Sequence, residues 1–290
     1  MTRRVLCRPT PTLSGLGLFG GQPASVTIRP SPAATGVLFT APGRGPVRVH
    51  VTRCVDWKPA RWPAALPIRN TSIGVAPWSV GTVEHILSAL AGLGISDAII
   101  DIEGPEIPIL DGSALPFVEA LLPCIEEEDT RPLVPFRLRR AVEVSDGGGG
   151  LIRAEPRDEG CSFTYELDYG PNSPIPAQAA TWQGDADDYA RNVAPARTFS
   201  LMAEAQAARA AGLFQHFSPS DMVVVGDDGA PIDNAWRLEH EPARHKLLDL
   251  IGDLSLLGVP PACLCADITA RRSGHALTRE LCRRMLAERA

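Results

Sequence analysis

The chain has 290 residues, 44% of them apolar, enough for about two domains that each bury a core, so a fibrous or disordered chain is excluded. Lysine and arginine number 28 against 34 aspartates and glutamates, a formal net charge of −6. With no basic tract in addition, nucleic-acid binding driven by phosphate neutralisation is excluded.

The opening MTRRVLCRPTPTLSG carries the charge pair of a secretory leader, but Arg8 and the prolines at 9 and 11 break any apolar stretch. No export signal is expected. Strands are predicted near 25–29, 36–40 and 47–54, then a helix over about 82–93, a strand over 97–103 and a second helix over 113–125. Asp97 and Asp101 interrupt the best membrane candidate, Leu87 to Ile100, which falls short of the ~18 apolar residues a spanning helix needs. A soluble, cytoplasmic protein is expected.

Glu126 to Pro135, EEEDTRPLVP, mixes four acids with two prolines. Neither a helix nor a central strand tolerates that, so it is the predicted linker. Beyond it come strands near 136–144, 150–155 and 162–168, helices near 200–211 and 241–257, a strand over 262–268 and a terminal helix over 276–289. Both halves read as α+β. The chain ends at Ala290 soon after that helix.

Seven scattered cysteines (Cys7, Cys54, Cys124, Cys161, Cys263, Cys265, Cys282) suit a reducing compartment better than a disulfide framework. Alternation in ACLCA predicts Cys263 and Cys265 on one face of a buried strand, as core thiols.

The two halves echo one another. EHILSALAGLGISDAIIDI from Glu84 matches LDLIGDLSLLGVPPACLCADI from Leu248 at an offset of 164 residues when Gly94 is set on Gly258. Leu87, Leu90 and Leu93 then fall on Ile251, Leu254 and Leu257, and each helix ends in a leucine-glycine cap. A duplicated module and a coincidence between two amphipathic helices both account for it. Under duplication, His85 corresponds to Asp249, which would place two metal-ligand types at matching points of two modules.

RHKLLDLIGDL carries His245, Asp249 and Asp253 at four-residue intervals, one stripe of a helix. That spacing lets an imidazole and a carboxylate converge on one ion; alternatively it is a solvated face with Lys246 as ion-pair partner. The flanking leucines favour burial, where unpaired charges are expensive. A catalytic zinc site requires a third protein ligand from elsewhere. His85 in TVEH stands beside Glu84, which is either a proton acceptor next to a metal or a first-turn acid at a helix dipole. His275 in RRSGHALT is either a group titrating near neutrality or a surface histidine at a helix start.

Together TVEHILSALAGLGISDAIIDIEGPEIPILDGSALPFV, ARTF at 196–199, RHKLLDLIGDLSLLG and SGHAL resemble the zinc-dependent UDP-3-O-acyl-N-acetylglucosamine deacetylases of lipid A biosynthesis. GLGLFGGQPASVTIRPSPAATGVLF, NTSI at 70–73 and RLEHEPARHK extend the similarity from about residue 10 to 289. The resemblance implies an α+β fold of two duplicated sheet-plus-helix domains, 1–128 and 133–290, with helices sandwiched between them. A small insert is implied in each, the second near 198–225.

It also implies His85, His245 and Asp249 as ligands of a zinc ion, with iron(II) as the other candidate, and Glu84 as the base. Thr198 would help hold the oxyanion, and Lys246, Asp253 and His275 complete the polar site. The implied reaction is acetamide hydrolysis, in which zinc acidifies a water, Glu84 takes its proton, and His275 held by Asp253 assists the departing amine. The implied substrate is an amphiphilic nucleotide sugar, handled by a monomer. Phe199, Leu201, Leu213 and Phe214 are assigned to its acyl chain.

Two departures bear on specificity. FQHFSPSDMVVV stands where the family reads close to GGSLDNAIV, and Phe19 stands where a histidine is common. They keep two further readings in play: a relative acting on another acetamido sugar, and a non-catalytic metal-containing binding protein.

Overall fold

The computed structural model describes residues 3–32, 34–60, 62–63, 69–128 and 134–290. The first part runs β1 (Arg3–Leu6), β2 (Leu13–Leu16), β3 (Pro23–Arg29), β4 (Val37–Ala41), β5 (Arg44–Arg48), β6 (Ile73–Val75), β7 (Trp78–Val80), α1 (Glu84–Gly92), β8 (Ala98–Glu103), α2 (Leu115–Leu121) and β9 (Ile125–Glu128). The remainder runs β10 (Phe136–Arg137), β11 (Val142–Ser145), β12 (Leu151–Pro156), β13 (Cys161–Leu167), β14 (Gln178–Trp182), α3 (Ala186–Asn192), β15 (Phe199–Leu201), α4 (Met202–Ala210), β16 (Val223–Val225), α5 (Glu241–Leu254), β17 (Leu264–Arg271) and α6 (His275–Ala287). The fold is mixed α and β.

Two larger sheets organise it, in the orders β2-β3-β8-β4-β5 and β11-β12-β17-β13-β14, with β10 added beside β17. Along the main path of each sheet all pairs are antiparallel except one: β4 with β8, and β13 with β17. In each, the last strand to be made in chain order lies in the middle. A helix precedes that strand and another follows it, α1 and α2 around β8, α5 and α6 around β17. Period-two alternation explains the inward faces: β3 buries Ala24, Val26 and Ile28, and β8 buries Ala98, Ile100 and Ile102.

The core helices are buried nearly all round, as elements packed on more than one side are. Every residue of α1 is buried, and so is every residue of α5 except Arg244 and Lys246. The two pack against one another. Gly252 makes this contact close, because a Cβ there would run into the Glu84 carbonyl. Across the junction Ser88 donates its hydroxyl to the Leu248 carbonyl at 2.8 Å, and Tyr189 donates to Ser88 at 2.7 Å. Gly94 and Gly258, 164 positions apart in sequence, both adopt the left-handed conformation, with φ of +74° and +75°, as helix-terminating glycines do.

The structure corrects several sequence expectations. The strand expected over 47–54 ends at Arg48, and a 3-10 turn occupies Val51–Arg53. The helix expected over 113–125 is α2 followed by a 3-10 turn over Leu122–Cys124, where Pro123 lacks the donor to continue. The strand expected over 136–144 splits into β10 and β11. Cys263 ends a 3-10 turn instead of lying in β17, although both it and Cys265 are buried and free. Glu126 and Glu127 are not linker: they sit in β9, antiparallel to β1, where Arg4 faces Glu127 and lies 3.9 Å from it. Opposite charges across a strand pair offset the poor strand propensity of glutamate. Linker residues 129–133 lie outside the described residues. Among the described residues no helix is long and apolar enough to cross a membrane.

Candidate active site

α5 supplies a continuous polar stripe through an apolar helix. Glu241, His245, Asp249 and Asp253 recur every fourth residue and are 1%, 2%, 6% and 1% exposed, so the solvated-face reading fails. Glu241 opens the helix with Pro242, where a missing N–H leaves no bond unmade. α1 faces the stripe with Glu84 and His85 in its first turn, both buried.

The structure brings His85, His245 and Asp249 together, with one potential ligand atom from each lying within 4.8 Å of the others. His85 Nε2 is 3.7 Å and His245 Nε2 3.5 Å from Asp249 Oδ1, and the imidazole planes stand at 87°. The other His245 nitrogen, Nδ1, is 3.1 Å from the Ala196 carbonyl. A carbonyl only accepts, so Nδ1 carries the proton and Nε2 keeps its lone pair. Burial pushes His245 down to about 3, which keeps the ring neutral. Burial works against the charge of Asp249, yet the Lys246 ammonium, 2.8 Å away, holds its carboxyl well below the usual range. Buried His85 Nδ1 has no hydrogen-bond partner among the described residues. Two imidazoles and a carboxylate form a donor set suited to a divalent cation.

Thr71 joins the remaining groups. Its N–H donates to Glu84 Oε2 at 2.9 Å and its hydroxyl to Asp253 Oδ1 at 2.5 Å, and that hydroxyl is 3.3 Å from His275 Nδ1. His275 Nδ1 is 2.8 Å from Asp253 Oδ2. Burial raises Glu84 to about 7, with His275 and His85 pulling the other way. For His275, burial opposes the charge, but Asp253 outweighs it by charge and hydrogen bond and lifts the ring to about 9. Two residues before His275, the Ser273 carbonyl accepts from the buried Tyr165 hydroxyl at 2.5 Å.

Thr198 lies just before β15. Its N–H donates to the Gly112 carbonyl at 2.7 Å, and the same segment of chain carries Ala196, whose carbonyl orients His245, and Arg197. The Arg197 guanidinium bonds Glu241, Asn234 and the Ala235 carbonyl. Phe199 lies edge-on to His245, ring centroids 6.3 Å apart.

Leu201 ends β15 half-buried, and the Leu213 N–H donates to the Ala208 carbonyl at the end of α4. Phe214 packs against Phe19 and Trp62, at centroid distances of 5.9 and 6.0 Å. Sequence reasoning gave no role to Thr71, Arg197 or Glu241. Glu241 could have been found by extending the four-residue stripe one step back. Thr71 had no periodic signal, only its place in NTSI at 70–73.

Residues 7–287 match the family model described as UDP-3-O-acyl N-acetylglycosamine deacetylase, LpxC. Similar curated proteins include the UDP-3-O-acyl-N-acetylglucosamine deacetylase of Acidithiobacillus ferrooxidans, 35% identical over 94% of this chain and 86% of that protein. The enzyme of the same name from an Anaeromyxobacter species is 36% identical over 99% of this chain and 88% of its own length. That of Citrifermentans bemidjiense is 32% identical over 95% and 86%.

Proposed function

The chain belongs to the UDP-3-O-acyl N-acetylglycosamine deacetylase (LpxC) family, and from that premise we propose that His85, His245 and Asp249 hold a catalytic zinc ion beside Glu84. The chain is an enzyme of lipid A biosynthesis that removes the N-acetyl group of UDP-3-O-acyl-N-acetylglucosamine. The observation that carries the site reading is the convergence of His85, from α1, with His245 and Asp249, from α5, next to a carboxylate whose pKa lies near neutrality.

When bound, the ion supplies Lewis acidity, making water more acidic and the acetyl carbonyl more electrophilic. Iron(II) suits the same donors. Glu84, aimed by the Thr71 N–H, accepts the proton of the water that attacks the carbonyl carbon; at a pKa of about 7 it can both take and release a proton. The Thr198 hydroxyl donates to the oxygen as it gains charge. Protonated His275, held by Asp253, gives its proton to the amide nitrogen as the C–N bond breaks, leaving acetate and a free amine. Lys246 neutralises Asp249 from the side. Phe199, Leu201, Leu213 and Phe214 would border the acyl chain, a reading supported for Phe199 by its contact with His245.

The identical strand order and pairing of the two sheets, with matching glycine caps, supports reading 1–128 and 133–290 as duplicated domains, with β15, α4 and β16 as the core of the insert near 198–225. A cytoplasmic monomer fits this substrate and the lack of an apolar spanning helix among the described residues. Acetate release from UDP-3-O-acyl-N-acetylglucosamine by the purified, zinc-loaded protein tests the function. Turnover of simpler acetamido sugars alone would overturn the substrate.

A further inference from the structure

Thr82 stands two residues before Glu84 with φ of +58°, a left-handed conformation in which a β-branched residue is an outlier. Such geometry persists where surrounding contacts over-determine it. Here they are visible. The Thr82 hydroxyl donates to Glu106 Oε1 at 2.7 Å and accepts from Asn70 Nδ2 at 3.0 Å. Thr82 is 2% and Glu106 1% exposed. On the main chain, Gly81 donates to the Pro105 carbonyl and accepts from Ile107, both at 3.0 Å, so the segment before α1 is clasped to the one that carries Glu106.

Glu106 is anchored in turn from the β2–β3 connection. Its Oε1 accepts from Phe19 N–H at 3.0 Å and its Oε2 from Gly20 N–H at 2.9 Å. A Cβ at Gly17 would run into the carboxylate, so the glycine makes room for it. Asn70, the other partner of Thr82, directly precedes Thr71, whose N–H aims Glu84. One buried carboxylate therefore fixes both the start of α1 and, through Asn70, the segment that orients the base.

We propose that Thr82 and Glu106 are positioning residues of the deacetylase site: the Thr82–Glu106 hydrogen bond holds the left-handed turn that sets the direction of Glu84 and His85. This rests on the functional reading above. The threonine hydroxyl is the element required, not the methyl group or the strain itself.

The test compares Thr82→Ser, which keeps the hydroxyl, with Thr82→Val, which keeps the shape, and Thr82→Gly, which suits the left-handed backbone. Expected are loss of kcat by about 10- to 100-fold in the Val and Gly variants, KM within about twofold, and near wild-type kcat in Thr82→Ser. With cobalt(II) in place of zinc, the visible absorption of the Val and Gly proteins should change and their cobalt affinity fall, while the Ser protein matches wild type. Wild-type kcat in the Val and Gly variants overturns the proposal. If the wild-type protein does not deacetylate the substrate, the functional reading fails. The cobalt spectra then decide the positioning role alone, and identical spectra in all four proteins overturn it. Should Thr82→Val not fold, Thr82→Gly carries the comparison.

Discussion

Arg197 and Glu241 form an ion pair at 2.8 Å with both side chains almost withdrawn from water. Arg197 follows Ala196, the acceptor for His245, and precedes Thr198, while Glu241 begins the helix that carries His245 and Asp249. Fastened to one another, they hold two walls of the site at a fixed separation. Removing one partner leaves a buried charge uncompensated, so Glu241→Ala should destabilise the protein by about 3–5 kcal/mol. Chemical denaturation reads this directly; a midpoint unchanged from wild type would mean that water or Asn234 replaces the lost carboxylate.

Glu84→Gln keeps the size of the base and deletes its proton affinity. kcat should fall by about 10²- to 10⁴-fold with one metal still bound per chain. Metal content measured beside steady-state rates separates this from collapse of the site.

His275 gives a pH dependence whose sign is fixed. Its folded pKa, about 9, lies above the ordinary 6.5, so the stabilisation from its pairing with Asp253 is fully present below about pH 6.5 and is lost as pH rises through about 9. Activity that needs the protonated ring should fall along the same alkaline limb. Asp253→Asn removes the main group raising that pKa, so the limb should move to lower pH; a pH–rate profile with the limb unmoved would assign it elsewhere.

Chelation tests the metal. Ligands that bind only the folded state stabilise it by mass action, about 2.7 kcal/mol at a hundredfold excess over Kd. Stripped protein should be inactive and melt lower, and zinc should restore both. His245→Ala should lose the restoration, because Asp249 and His85 alone make a poor site.

Much of this site could be read from the sequence because its main helix is periodic. His245, Asp249 and Asp253 declare a shared face by spacing, and the leucines around them declare burial. Gly94 and Gly258, each after a leucine, mark where α1 and the 3-10 turn that continues α5 over Ser255–Leu257 stop. Thr71 carries no comparable mark: Asp253 is 182 positions away, and a threonine between asparagine and serine reads as an ordinary loop. β6 and β7, at three residues each, are too short for alternation to register. The acids of β9 read as linker because what offsets them, Arg4, arrives from the far end of the chain.

The contact of Gly252 with Glu84 has a consequence for how the enzyme could vary. Where two helices touch main chain to main chain, the gauge of everything suspended between them is set by an atom that is not there. A single methyl group at this position would act as a wedge, prying His85 from His245 and Asp249 without altering any of them.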